Sequence, residues 1–482
     1  MLQKLIKCAI CMLLCSVFLT GQAVAFDASQ ADYTLNSDNS KAHIPLCYVT
    51  ERVMDRFGEY GALKEAEDLF YDQSGNLFIA DTGNNRVLKC NLNGEVLWSY
   101  TGEGDRALSS PRGVFADENG IIYVADTANN RIACLSEKEG YIKSFVKPDS
   151  ELLSDDLTFD VTKVAAGQTG YIYALKGKQF ISMDENNEFK GFIGINNVKF
   201  SLTNLLIRIL ASDEQKKRIT KPEPEPYANF TLGSDGMMYA VALDKSGQIK
   251  KLNAVGTNLF PDGSYGENYI GETGDVLFPS FSDISVSSAG IVTVSEENSC
   301  RIYQYDAEGR LLCVFGGKGK KEGRFMLPSS ITEDSEGRLY VLDKLANNIQ
   351  VMKRTPFIQS VHQALECYYN GDYDKAGDFW KETLTFNQSY ELAHKNIAKT
   401  QYKSKDYRAA MDSYEKVNEA AGYSEAYDIY RHKIFREHFT LVVTVTVFLA
   451  AALIALIVFL KKAADRAAVE MVHGKGGRHN HG

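Results

Sequence analysis

The chain has 482 residues, a formal net charge of −9, and 53 basic against 62 acidic side chains. That length allows two folded domains and an anchor, and the acidic balance argues against nucleic acid, whose binders carry basic patches. It fits a soluble surface facing water.

In chain order, Lys4 and Lys7 precede an apolar run, Cys8–Thr20, and then Ala23-Val-Ala25. A basic start, an apolar core and a small-x-small end predict a secretory leader over 1–25. It carries three of the nine cysteines. The other six, Cys47, Cys90, Cys134, Cys300, Cys313 and Cys367, match no zinc or redox spacing. They are expected as buried thiols on strands rather than as a disulfide framework. Residues 26–46 are polar and are expected to be loosely held. Cys47–Gly58 then reads as an outer strand ending in Phe-Gly.

Gly75-Asn-Leu-Phe-Ile-Ala-Asp-Thr-Gly-Asn-Asn-Arg-Val87 returns as Gly120-Ile-Ile-Tyr-Val-Ala-Asp-Thr-Ala-Asn-Asn-Arg-Ile132. The anchor glycine recurs at Gly170, Gly236, Gly290 and Gly337. Steps between anchors run from 45 residues (75 to 120) to 66 (170 to 236). Short alternating apolar runs, bounded by turns such as Asp72-Gln-Ser-Gly75, read as antiparallel meanders. A period of ~40–50 residues with four short strands is that of a propeller blade. The Asp-x-x-Asn-Asn-Arg turns at Asp81–Arg86 and Asp126–Arg131, with the glycine-rich lead-in Phe315–Pro328, resemble the NHL-repeat propeller family. The resemblance covers roughly 47–355 and implies a mainly β fold of six blades. The sixth copy, 328–353, has room for three strands, so the N-terminal strand is expected to complete it and close the ring. Closure removes the sheet edges that would otherwise template aggregation.

Seven residues before the glycines stand Asp68, Gly113, Lys163, Asn229, Asp283 and Ser330, and one residue earlier Glu67, Arg112, Thr162, Ala228, Ser282 and Ser329. They are expected to ring the channel mouth. Glu67, Asp68, Arg112, Lys163, Asn229 and Asp283 are therefore candidate ligand-binding residues. Oxygen donors among them suit calcium, and resemblance to gluconolactonase-like propellers implies a calcium at this location. Lys163 and Arg112 oppose it, and solvated rim side chains are the other reading. Arg86, Arg131 and Arg301 are open to two readings, a basic patch for an anionic ligand or part of the repeated architecture. An insertion, 194–228, joins blades three and four on the same face. Its Leu202, Leu205, Leu206, Ile209 and Leu210 predict a helix with an apolar stripe, which would serve as a lid, a docking surface or plain rim packing.

Of the eight histidines none lies between 47 and 355, so that stretch offers no His-ligated zinc and no His base. No nucleophile elbow, P-loop or dinucleotide fingerprint is present.

After Pro356 the apolar period changes from 2 to 3.6. Tyr373, Ala376 and Trp380 recur as Tyr407, Ala410 and Tyr414, an offset of 34 (373 to 407). The segment 357–437 resembles tetratricopeptide repeats. Such helix pairs leave a concave face, so Tyr373 and Tyr407 are candidate partner-binding residues as well as packing residues. Residues 439–460 carry no charge and are long enough to cross ~30 Å of hydrocarbon. With an exported propeller, Lys461, Lys462 and Arg466 stay inside, leaving a short tail, 461–482, in which His479 and His481 are weak metal candidates.

The expected molecule is a single-pass membrane protein whose outward propeller and helical repeats bind a protein partner, or a peptide or glycan, at the outer surface. A calcium-dependent, lactonase-like hydrolase at the channel mouth is the alternative. No cofactor is expected apart from that calcium.

Overall fold

The computed structural model describes residues 31–150, 153, 157–167, 169–177, 179–193, 226–270 and 274–474. The leader, most of the 194–228 insertion with its expected helix, and the tail histidines lie outside the described residues.

Six sheets form a β-propeller. Blades one to three are four-stranded meanders with inner strands Asp68–Tyr71, Pro111–Ala116 and Val161–Ala166. The inner strands of blades four to six are Tyr227–Leu232, Phe281–Val286 and Pro328–Glu333. The turns follow from local chemistry. Asp72 Oδ1 accepts the Asn76 N–H at 2.7 Å, and Asp117 Oδ1 accepts the Ile121 N–H at 2.8 Å. Gly75 and Gly120 supply the φ of +83° and +79° that these turns require. Apolar side chains fill the spaces between successive blades. Val87, Val114 and Val124 pack between blades one and two, and Phe180, Phe230 and Met238 between three and four.

Three blades depart from the plain meander. Blade six is completed by the N-terminal strand Tyr48–Met54, which pairs antiparallel with Asn348–Arg354. The ring is thus closed by the two ends of the propeller sequence, as expected. Blade four has three strands, ending at Ile249–Leu252. A loop takes the outer place: the Leu259 N–H donates to Lys251 O at 2.7 Å, and Asn258 Oδ1 accepts the Lys251 N–H at 3.0 Å. That loop leads into a hairpin, Tyr269–Ile270 with Val276–Leu277.

Blade five is extended. Tyr33–Leu35 adds to its outer strand Leu311–Gly316, and Lys41–His43 adds to Tyr33–Leu35. The segment expected to be loosely held is therefore sheet from residue 33, and its Asp32 is buried. Alternating polarity in Asp32-Tyr33-Thr34-Leu35 was the available signal, but the run is short.

Helices follow: α1 Pro356–Tyr369, α2 Tyr373–Phe386, α3 Glu391–Lys403, α4 Tyr407–Lys416, α5 Ala420–Glu437 and α6 Phe439–Gly474. The chain divides into two compact units. The first runs through Gly371 and includes Asp378–Leu392; the second comprises Asp372–Gly377 and the chain from Ala393 on. The boundary expected at 356 thus lies inside the first unit.

In that unit, Phe357, Ile358, Val361 and Leu365 of α1 are buried, as is Trp380. The Tyr390 hydroxyl donates to Leu312 O of blade five at 2.9 Å. In the second unit, Ala398 of α3, Ala410 and Tyr414 of α4 and Ala426 of α5 form a small core. Asp406 caps α4 by accepting the Ala409 N–H at 3.2 Å. α6 is, among the described residues, the one helix long and apolar enough to cross a membrane. The six described cysteines are all buried except Cys367, which is partly exposed.

Removing residues 26–54 would strip the closing strand and leave Asn348–Arg354 as an open edge. The truncated protein is expected to self-associate where the full chain does not. Size-exclusion chromatography with light scattering, in matched detergent, checks this.

Candidate functional site

The polar ring predicted at the start of the inner strands exists, and its parts are latches between blades. Asp68 of blade one accepts the Val114 N–H of blade two through Oδ2 at 2.8 Å. Asp283 of blade five accepts the Ile331 N–H of blade six at 2.9 Å and the Ser330 hydroxyl at 2.6 Å. Ser330 Oγ in turn accepts the Leu69 N–H of blade one at 3.0 Å, which completes the circuit at the closure. Asn229 of blade four donates to Ser282 O of blade five at 3.1 Å. In blade two the position is Gly113, where a Cβ would come within 2.7 Å of Thr162 O and 2.9 Å of Lys163 Cα. Blades two and three approach there too closely for any side chain.

Lys163 reaches across from blade three and pairs with Asp68. Burial alone would depress its ammonium, but the charges of Asp68 and Asp283 outweigh burial and hold its pKa above the usual value. It is therefore a fixed cation, unable to serve as a nucleophile or base at neutral pH. Burial is the largest influence on Asp283; the Lys163 ammonium opposes it, Asp68 adds to it, and the carboxyl is raised to about 6.

These groups are not solvated rim residues: Asp68 and Asp283 are each 1% exposed. Their donor set does not suit calcium either. Carboxylate oxygens are committed to backbone N–H groups, and the Lys163 ammonium already pairs with Asp68 within the field of Asp283, where a divalent ion would meet like charge. Among the described residues no three His, Cys, Asp or Glu side chains converge as a metal set.

Glu67 and Arg112 lie one layer outward and more exposed. Glu67 takes Lys344 Nζ of blade six at 2.6 Å and lies 3.5 Å from Arg112 Nε of blade two. Beneath the ring the channel holds a cavity of about 150 Å³, walled by Leu69, Val114, Val164, Phe230, Ile284 and Ile331.

The repeated turns lock the links between blades. Asp81 accepts the Lys64 N–H at 2.8 Å, Asn84 Nδ2 at 2.9 Å and Arg86 Nε at 2.6 Å. Arg86 then donates to Tyr60 O and Ala62 O of the link entering the blade. Asp126 and Arg131 repeat this with Ser109, Asp105 and Ala107. Asn85 and Asn130 take φ of +52°, a conformation asparagine tolerates, which explains the second Asn of the motif. Arg301 differs. Glu296 replaces the aspartate and caps Ser280, Asn298 and Ser299 N–H groups, while Arg301 lies over the Tyr33 ring at 5.0 Å. Tyr373 and Tyr407 are half-buried on α2 and α4; the Tyr407 ring meets Tyr402 edge-on at 5.6 Å.

One surface went unnoticed in the sequence. The hairpin between blades four and five exposes Ile270 (76%), Val276 (60%), Leu277 and Phe278. Lys245, in the second-to-third turn of blade four, lies over the Phe278 ring at 5.4 Å, which places the hairpin on the channel-mouth face. Leu243 of the same turn is exposed and donates its N–H to Pro226 O, where the chain re-enters blade four. The run Tyr269-Ile-Gly-Glu-Thr-Gly-Asp-Val-Leu-Phe278 places Gly-x-x-Gly between apolar residues, a sequence signal for a hairpin set in a long inter-blade step.

The NHL-repeat model matches residues 108–135, in blade two. No curated protein matches the chain in sequence. Among solved structures, a catalytically inactive virginiamycin B lyase from Staphylococcus aureus with quinupristin is 13% identical, covering 67% of this chain and 87% of its own, with a TM-score of 0.40. A streptogramin B lyase is 13% identical over 63% of this chain and 98% of its own, TM-score 0.41. A protein of unknown function from Bacteroides thetaiotaomicron is 12% identical over 65% and 79%, TM-score 0.42.

Two outcomes follow from this geometry. Asp126→Ala would leave Arg131, now half-buried, without its carboxylate and is expected to lower stability by about 3 kcal/mol, read from denaturant midpoints. Asp283 is held above its ordinary 3.8, so its contribution to stability is fully present below pH 3.8 and is lost as pH rises through 6. Lys163→Met removes the opposing cation and leaves two buried acids together. The variant's deficit in melting temperature should be small at pH 5 and clearly larger at pH 8; an equal deficit at both would refute the assignment.

Proposed function

We propose that the protein is a membrane-anchored binding or scaffold protein that holds a protein partner on the channel-mouth face of its propeller. The exposed apolar hairpin, Ile270, Val276, Leu277 and Phe278, carries this reading. Contiguous exposed apolar side chains rimmed by polar ones mark interaction sites. Lys245 lies over the Phe278 ring, Glu267 precedes the hairpin, and the chain re-enters blade four at Pro226 beside Leu243 of the same turn. The ring beneath is spent on holding blades together, which favours a contact across the face over chemistry in the channel.

Three sequence features support the rest of the reading. The leader 1–25 exports the propeller. α6 anchors the chain as a single span, with Lys461, Lys462 and Arg466 inside. The 34-residue repeat of Tyr373 and Tyr407 gives the helices a tetratricopeptide-like character, suited to a second contact with a partner at the membrane.

Covalent cross-linking in native membranes tests it, with the full-length chain compared with a Val276→Asp, Phe278→Asp variant. Both side chains are exposed, so the melting temperature should be unchanged. One discrete cross-linked neighbour is expected to disappear in the variant. An identical set of neighbours in both would remove this face as the binding site.

A further inference from the structure

The N-terminal segment, blade five and α1 meet at a buried polar node. Gln304 of blade five donates through Nε2 to the Tyr48 hydroxyl at 2.9 Å and to Thr293 Oγ1 at 3.0 Å. Its Oε1 lies 3.1 Å from His362 Nε2 of α1 and accepts the Cys313 thiol at 3.5 Å. Two cysteines belong to this node.

Strand register brings them together. Tyr33 stands opposite Val314 in the antiparallel pairing of the N-terminal strand with blade five. Side chains of directly opposed residues share a face and alternate along each strand. Tyr33 and Val314 therefore share one face, packed toward blade four. Asp32, Thr34, Cys313 and Phe315 share the other, toward blade six. Cys47 arrives on that second face, because its N–H donates to Asp32 Oδ2 at 2.7 Å and the ring of the next residue, Tyr48, stacks on Phe315 at 4.6 Å. Both thiols are completely buried, and the Cys313 thiol is among the neighbours that push the Cys47 thiol up. Cys90, Cys134 and Cys300 are set apart from them, on blades one and two and at a blade-five turn.

We propose that Cys47 and Cys313 are a disulfide pair that fastens the ring-closing N-terminal segment to blade five. The inference rests on the reading that the propeller is exported, since structural disulfides persist in oxidising compartments. The oxidant is an external disulfide. One cysteine thiolate attacks it, forming a mixed disulfide and releasing one thiol. The second cysteine displaces the other donor thiol as the Cys47–Cys313 bond closes. Two protons and two electrons leave the protein, and the donor disulfide becomes two thiols. Burial, and then the neighbouring Cys313 thiol, push the Cys47 thiol well above its ordinary range once the node is packed. Exchange therefore takes place while the N-terminal segment is still docking, and the finished bond is shielded from reductants.

The test uses the full-length protein, purified in detergent, unfolded and refolded in a buffer of oxidised and reduced glutathione. Free thiols are then alkylated in denaturant and the protein is mapped by mass spectrometry. The expected result is one linked peptide pair containing Cys47 and Cys313, lost on reduction, with Cys90, Cys134, Cys300 and Cys367 alkylated throughout. Alkylation of both Cys47 and Cys313 without reductant, or linkage to other partners, overturns the proposal. A second measurement follows the melting temperature. Reduction should lower it by about 5 °C in the wild type, in keeping with the cross-link of a long loop, and should leave a Cys47→Ala, Cys313→Ala double variant unmoved; a wild type insensitive to reductant refutes the clasp. The same mapping on protein alkylated directly in cells separates the two readings. Bond formation in the refolded protein with free thiols in the cellular protein would overturn export, whereas free thiols in both would overturn the pairing itself.

Discussion

The propeller depends on one repeated bond: a side chain at the start of an inner strand caps a backbone N–H of the next blade. Asp68 holds Val114, Asp283 holds Ile331 and Ser330 holds Leu69. Inner strands have no sheet neighbour on the channel side, so the N–H groups there need partners from elsewhere. Supplying them from the adjacent blade satisfies the donors and fixes the angle between blades in one step. Threonines and serines reinforce it one layer out. Thr82 donates to Pro111 O, Thr127 to Val161 O and Ser282 to Pro328 O, each at 2.7 Å and each from one blade to the next.

That arrangement decides what the channel can do. Asp68 and Asp283 each accept a backbone N–H of the next blade, and Lys163 pairs with Asp68. Lys163 is held protonated by two acids, and Asp283 shares its field. Such a set differs from a catalytic pair, in which environments push acid and base toward opposite protonation states at a surface reached by substrate. The ring side chains are thus engaged in holding blades together, and the hairpin after blade four and the extension of blade five are this chain's additions to the plain meander. Rigid scaffolds commonly place recognition in the loops they support.

The legibility of the sequence follows the range of the interactions. Strands and turns were readable because Asp-x-x-Gly turns and period-2 alternation act within a few residues. The positions of the ring residues were readable because repetition fixes their register. Their role was not, since Asp68 is explained by Val114, 46 residues on (68 to 114), and by Lys163 two blades away. The same holds for Arg86 and Arg131, whose architectural reading was one of two open from the sequence; the partners that decide it, Ala62 and Ala107, lie in links of no recognisable pattern. The place of the N-terminal hairpin and of α1 is illegible in the sequence for a related reason. Their local composition is that of a polar segment and an ordinary amphipathic helix, and only long-range pairing with Val314 and Gln304 makes them part of the propeller unit.

Closure by a strand from the opposite end of the sequence brings a cost. Bonds made by Tyr48–Met54 join residues about 300 positions apart, as in Thr50 with Met352, so the closing strand adds nothing until the last blade is made. An open ring meanwhile exposes two edges. Extra fastening at this junction is therefore more useful than anywhere else in the circle. The chain concentrates it there: the added hairpin on blade five, the stacking of Tyr48 on Phe315, the Gln304 node and the docking of α1 directly after the last strand all act on the same seam.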